Sequence, residues 1–328
     1  MKAYLVRSVT VTLFLLLATL AQAAGVDSMV VYPSRPVRMI VPFPPGSSDI
    51  TARIIAQKVG ERFSQQFVVD NRGGATGTIG TNMTAKATSD GYTLLFHTCT
   101  IVIGAALQKN LPYRVPQDFT AIAQVAWSPM VLVVNRSLPV NSVQELISLA
   151  RAKPDALNYA SIGTGSLASL SAAMFRAASS VRLTEVGYQG TAPALTALLS
   201  GETQLMFSVL GAALPHIRAG RLKALAMASA SRSTLLPELP TVAESGLLGF
   251  DSMCWHGIFG PRGLSPKLVE TLNKTIVAVL EKTETRTQLA TLGFETAPTT
   301  STQFDSYLHS EMAKWGRAIS VANLAVGE

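Results

Sequence analysis

Cysteine is nearly absent from this chain, with Cys99 and Cys254 the only two among 328 residues. Two are too few for the multi-bridge framework of a small secreted scaffold, and they leave two readings open: one disulfide, or two buried apolar thiols. Histidine is almost as scarce, and His97, His216, His256 and His309 are isolated from one another. No HExxH, no Cys/His ladder and no second histidine at helical spacing occurs, so the usual zinc sites are excluded and each histidine reads as structural or superficial. Charge is thin as well, at 14% Asp, Glu, Lys and Arg, with no basic cluster interleaved with aromatics. Nucleic acid is therefore excluded as a partner. After the first twenty residues no apolar run is long enough for a membrane helix. The nucleophile elbow GxSxG and the Gly-Lys-Ser/Thr of a phosphate loop are also missing. A Ser/His/Asp triad assembled from distant residues would leave no local trace, so an enzyme stays as the minor alternative. No catalytic residue, metal or cofactor is assigned.

What is present begins with a leader. Lys2 and Arg7 form a basic n-region, Val9 to Leu20 an apolar run, and Ala21-Gln22-Ala23 the small-residue pattern that a signal peptidase cuts. Residues 1–23 are thus expected to be a signal peptide cleaved after Ala23, with the mature protein in the periplasm; an uncleaved anchor is the alternative. Losing Lys2 and Arg7 leaves 25 basic residues against 20 acidic ones, so the net charge falls from +7 to +5. A mild positive field of this kind favours small anions.

The remaining residues, about 305, exceed what one hydrophobic core usually serves, which predicts two domains. Short apolar runs at Val37–Val41, Thr93–Phe96, Val131–Val134, Leu157–Ala160 and Ala224–Ala228 alternate with helical stretches, the pattern of an α/β protein with parallel sheets. Ser142-Val143-Gln144-Glu145 is a capping box ahead of an apolar stripe at Leu146, Leu149 and Ala150, and Pro154 stops that helix.

Chemistry concentrates where strands hand over to helices. Phe43-Pro44-Pro45-Gly46-Ser47-Ser48-Asp49 follows a strand and opens the helix Ile50–Glu61, where free amides, the helix dipole and two hydroxyls suit an anion; a plain helix cap is the alternative. Glycines 74, 77 and 80 form a second loop that permits close approach to a ligand or to a neighbouring helix. The third loop, Gly163-Thr164-Gly165-Ser166-Leu167-Ala168, matches G-x-G-x-x-A, but a nicotinamide cofactor is out of place in an exported chain. The same amides of Thr164, Gly165 and Ser166 can bind a carboxylate. Tyr188–Ala194 repeats the theme before the helix Leu195–Leu199. Phe43, Trp127, Phe207 and Trp255 are candidates both for lining a cleft and for core packing.

Taken in order, Tyr32–Pro36, Val41–Arg53, Asn71–Gly80, Asp90–Leu95, Leu111–Tyr113, Gly163–Leu170, Tyr188–Ala194, Leu214–Leu222, Leu239–Glu244 and Lys314–Gly316 resemble the Bug/TctC family across essentially the whole mature chain. These are the extracytoplasmic binding proteins of tripartite tricarboxylate transporters. The resemblance implies a two-lobed type II periplasmic-binding-protein fold, each lobe a mostly parallel sheet flanked by helices, joined by crossing strands. Lobe 1 would comprise residues 24–126 and 251–328, and lobe 2 residues 127–250. It also implies a monomer that grips a small mono- or dicarboxylic acid and delivers it to membrane transporter subunits; a sensor subunit serving a membrane kinase would share the same lobes. The ligand-binding residues expected are Phe43, Pro44, Gly46, Ser47, Ser48, Asp49, Gly77, Thr164, Gly165, Ser166, Ser169, Tyr188 and Ser208. Three departures stand out: the Phe43–Asp49 loop is one residue shorter than the family's, Ser169 replaces a frequent histidine, and Ser208 a frequent aspartate. Without that aspartate a ligand ammonium has no partner, which favours a neutral-bodied acid over an amino acid.

Overall fold

Val/Ile-rich runs set the strands, and the helices that follow them cover the sheets. The computed structural model describes residues 32–321 apart from Lys109 and Thr164, so the leader and its expected cleavage site lie outside the described residues. In chain order the elements are β1 (Val37–Val41), α1 (Ser47–Phe63), β2 (Phe67–Asn71), α2 (Thr78–Ala85), β3 (Thr93–Thr98), α3 (Thr100–Leu107), β4 (Phe119–Ser128), β5 (Met130–Asn135), α4 (Val143–Ala152), β6 (Asn158–Ser161) and α5 (Leu167–Ser179). They continue with β7 (Thr184–Gly187), α6 (Thr191–Ser200), β8 (Leu205–Val209), α7 (Leu210–Arg218), β9 (Leu222–Met227), β10 (Cys254–Pro261), α8 (Pro266–Leu280), α9 (Thr283–Thr291), β11 (Glu295–Thr296) and α10 (Ser301–Val321).

The strands form two sheets, ordered β11-β4-β10-β3-β1-β2 and β7-β6-β8-β5-β9. Each contains a parallel trio, β2-β1-β3 in one and β7-β6-β8 in the other. Beside each trio lies one antiparallel strand, β10 or β5. These two are the strands by which the chain enters a sheet from the other one, and that is why neither sheet is wholly parallel. Apart from the edge strand β11, the two orders are equivalent. Pro129 alone separates β4 in the first sheet from β5 in the second, whereas the return runs through residues 228–253. The α/β class expected from the sequence is therefore observed, with this one refinement.

Burial explains why the sheets hold. Along β5, Met130, Leu132 and Val134 enter one core with Tyr159, Phe175 and Phe207, while Val131 and Val133 enter another with Leu198 and Met206. A strand that is apolar on both faces belongs to a sheet covered on both sides. The first sheet packs Trp255, Phe259, Phe304 and Trp315 into its own core. Phe207 and Trp255 are thus core residues, and Phe43 stays half-buried at a loop.

From Arg35 onward the chain forms one unit in which the two sheets share contacts. Leu170 of α5 joins the first sheet's core. A Cβ on Gly211 would lie 2.4 Å from the Leu292 carbonyl oxygen, so the start of α7 can approach the α9–β11 turn only as glycine. Glu295 accepts hydrogen bonds from Ser233 Oγ at 2.5 Å and from the Thr234 amide at 3.1 Å. Cys99 and Cys254 form a disulfide with their Cα atoms 5.3 Å apart, joining the end of β3 to the start of β10. That settles in favour of pairing the choice the sequence left open.

Candidate functional site

In open α/β sheets, ligands bind beyond the carboxyl ends of parallel strands. The first loop and the glycine loop both leave such ends, those of β1 and β6, which hold equivalent places in the two sheets. In the first loop the helix α1 starts at Ser47, three residues ahead of the expected Ile50, with Gly46 as its N-cap. Glycine offers no side chain, so no cap hydrogen bond closes the end and its first-turn amides remain available to an anion.

A network on α1 and β2 fixes the shape of this loop. Asp49 faces the Arg53 guanidinium with both oxygens, each at 3.0 Å. Arg53 Nη2 also donates to Asn71 Oδ1 at 3.0 Å, and Asn71 Nδ2 donates to the Phe43 carbonyl at 3.1 Å. Asp49 is buried in this role, which orients its neighbours. The second loop packs beneath the first. Gly77 has φ +93°, a left-handed conformation, and a Cβ there would meet Phe43 Cε1 and the Pro42 carbonyl oxygen at 3.4 Å. A Cβ on Gly80 would lie 2.7 Å from the Arg72 carbonyl oxygen. The glycine spacing therefore serves loop-to-loop packing around Pro42 and Phe43. Pro44 and Gly46 are exposed at the tip, and Ser48 is half-buried.

The glycine loop is built differently. Ser161 Oγ accepts from the Gly163 amide at 3.2 Å, and the Ser166 amide donates to the Gly163 carbonyl at 3.1 Å. Ser166 is the N-cap of α5, its hydroxyl accepting from the Ser169 amide at 3.2 Å. This end is capped by its own chain, unlike that of α1. Gly165, at φ +80°, abuts the first sheet's helix α3, where an added Cβ would lie 3.0 Å from Leu107 Cδ1. Thr164 lies outside the described residues. Ser169 and Ser208 are buried, and the Ser208 hydroxyl donates to the Val209 carbonyl at 3.2 Å. The Tyr188 amide donates to the Ser161 carbonyl at 2.9 Å and ties the two loops together. Its hydroxyl donates to Glu202 at 2.8 Å, and desolvation together with that carboxylate pushes its pKa up to about 12.

Two histidines that the sequence presented as isolated lie at this end of the first sheet. His97, the fifth residue of β3, meets the Phe43 ring edge-on at 5.1 Å. His256 of β10 places Nε2 3.5 Å from Ser48 Oγ. Burial lowers both imidazoles, His97 to about 3 and His256 to about 4, so both are neutral near pH 7. Only their position at strand ends hinted at this, and that position required the sheet register. No group of three or more potential metal ligands occurs among the described residues. No helix there is long and apolar enough to cross a membrane. A groove of about 750 Å³ between α8 and residues 298–303 includes no residue of either loop.

Comparison with known proteins agrees with the geometry. Residues 51–324 match the family model described as the tripartite tricarboxylate transporter family receptor. Protein BugT of Bordetella pertussis is 35% identical over 310 residues, which are 94% of each chain. A solved structure of R. palustris Rpa4515 with adipate is 35% identical, with a TM-score of 0.78 over 90% of this chain and 99% of the other. MatC (Rpa3494) from Rhodopseudomonas palustris with bound malate is 31% identical, with a TM-score of 0.73 over 88% of this chain and 100% of the other. Two equivalent sheets, loops at the ends of β1 and β6, and a sequence match over most of the chain lead to one statement: this chain belongs to the TctC family of tripartite tricarboxylate transporter receptors.

Proposed function

We propose that this protein is a periplasmic solute-binding receptor that captures a small carboxylate and hands it to the subunits of a membrane transporter, with no chemistry of its own. The observation that carries the reading is the uncapped N-terminus of α1, presented by Gly46 at the carboxyl end of β1. The capped Gly163–Ser166 loop stands at the equivalent place in the other sheet. Lobe 1 is residues 24–126 with 251–328, lobe 2 is residues 127–250, and the ligand lies between them in a monomer. Its site is formed by Phe43, Pro44, Gly46, Ser47, Ser48 and Gly77 from lobe 1 and by Thr164, Gly165, Ser166 and Ser169 from lobe 2. Asp49, Tyr188 and Ser208 shape those loops from behind. The relatives that hold adipate and malate support a C4 to C6 dicarboxylate.

The test is a thermal-shift and calorimetric panel containing adipate, malate and shorter monocarboxylates. A ligand at one hundred times its Kd stabilises the native state by about 2.7 kcal/mol, which raises Tm by several degrees. Conversion of any hit to a product would sink the receptor reading, and a panel without a carboxylate hit would sink the anion site. Gly165→Asp is expected to abolish binding by placing a carboxylate where the ligand's belongs. Gly165→Asn, which carries the same shape and φ strain without the charge, should retain more affinity, and equal loss in both variants would show that charge is not the cause.

A further inference from the structure

His256 has no part in the carboxylate loops as a sequence, and it is not a surface histidine. It is 3% exposed, wedged between Phe96 at 5.6 Å and Phe294, edge-on at 5.0 Å. Its strand is antiparallel to β3, so the start of β10 lies at the same end of the sheet as the loop after β1. There Nε2 lies 3.5 Å from the hydroxyl of Ser48, in the first turn of α1. The other ring nitrogen, Nδ1, is buried and has no hydrogen-bond partner among the described residues.

A neutral imidazole carries one N–H. Placed on Nδ1, that proton would be a buried donor with nothing to accept it, which native interiors avoid. Placed on Nε2, it faces the Ser48 oxygen. Burial that holds the ring neutral down to about pH 4 keeps this choice of tautomer in force at physiological pH. A serine hydroxyl has a single hydrogen, and once its oxygen accepts from His256 that hydrogen is free to point elsewhere. Beside it is the N-terminus of α1, which has no side-chain cap and where the reading above puts the ligand carboxylate.

We propose that His256 is a positioning residue that tunes ligand specificity: its Nε2–H donates to Ser48 Oγ and so turns the Ser48 hydroxyl proton toward a ligand carboxylate oxygen. A cleft into which Ser48 directs its proton favours a deprotonated acid over an amide nitrogen or an ammonium at the same place. This inference rests on the carboxylate reading above.

Calorimetry with adipate at pH 7 tests it, using the wild type, Ser48→Ala, His256→Leu, His256→Gln and the Ser48→Ala/His256→Leu double variant. His256→Leu is expected to weaken adipate binding about tenfold, whereas His256→Gln, whose amide nitrogen reaches the Nε2 position, recovers to within about threefold of wild type. In the Ser48→Ala background, His256→Leu should cause no further loss, because the histidine acts only through that hydroxyl. If His256→Leu does not fold, as judged by its Tm and circular dichroism, His256→Asn takes its place, since its amide is too short to reach Ser48. Equal losses with and without Ser48, or a His256→Gln variant as weak as His256→Leu, would overturn the proposal. So would a His256→Leu variant that binds like wild type, and the carboxylate reading would survive that result. A wild type that binds no member of the carboxylate panel would overturn both.

Discussion

His97 and His256, both buried and neutral, couple the stability of the fold to acid. Their folded pKa values, about 3 and about 4, lie below the ordinary 6.5 because burial disfavours the charged ring, and in His97 the neighbouring His256 adds to the effect. Between those values the unfolded chain holds protons that the native state does not, so native stability falls as pH drops below 6.5 and this contribution levels off near pH 3. The expected slope is up to about 1.4 kcal/mol per pH unit for each histidine. Thermal denaturation from pH 7 to pH 4 checks it, and His97→Gln should flatten the curve across that window. Asp118, held low by hydrogen bonds from Arg114, belongs to a separate loss that starts only below 3.8. None of this was legible in the sequence. A histidine with no partner nearby along the chain looks the same whether it ends in a core or in water.

Helix α10 shows what an element gains from a single buried charge. Glu311 is 2% exposed and its Oε2 accepts from two indoles, Trp255 Nε1 at 2.9 Å and Trp315 Nε1 at 3.1 Å. Its Oε1 lies 2.5 Å from Lys314 Nζ, which also reaches Asp251 Oδ2 at 2.9 Å in the return crossing. Glu311→Ala would leave two buried indole donors without their acceptor and Lys314 with Asp251 alone, and is expected to cost about 2–4 kcal/mol in a denaturant melt. Glu311→Gln, which keeps an acceptor, should cost less. Other elements were readable in advance because their signals are local. The serine cap holds, with Ser142 Oγ accepting from the Glu145 amide at 3.1 Å, while Glu145 Oε2 accepts from the Asn141 amide at 2.7 Å, one residue ahead of the N-cap amide that a capping box uses. The run Val37–Val41 is β1 residue for residue. The start of α1 was misplaced by three residues because serine and glycine at a helix end fit a cap and a first turn equally well.

At the scale of the whole molecule, the Cys99–Cys254 bridge closes a loop of 155 residues that contains the entire second sheet. Both crossings lie within or at the edge of that loop, so the bridge pins β10, the strand on which the chain returns, to the end of β3 in the first sheet. Breaking it releases chain entropy in the unfolded state, and the Cys99→Ser/Cys254→Ser variant is expected to lose about 2–4 kcal/mol. Guanidinium unfolding measured with and without reductant would show the loss in wild type and no reductant effect in the variant. Since neither cysteine is among the residues proposed to hold the ligand, adipate affinity should change far less than stability.

The family, the α/β alternation and the two strand-to-helix loops followed from the sequence alone, because strand periodicity, glycine turns and helix-start residues are properties of a few consecutive positions. The tertiary structure decided which contacts those positions make. It paired Cys99 with Cys254, turned Asp49 onto Arg53, capped α5 with Ser166 while leaving α1 open, and brought His256 to Ser48 across 208 residues. Such pairings depend on where the chain re-enters a sheet after visiting the other one. A shift of one residue in the register of β10 would turn His256 to the opposite face, and nothing in the neighbouring sequence records that choice.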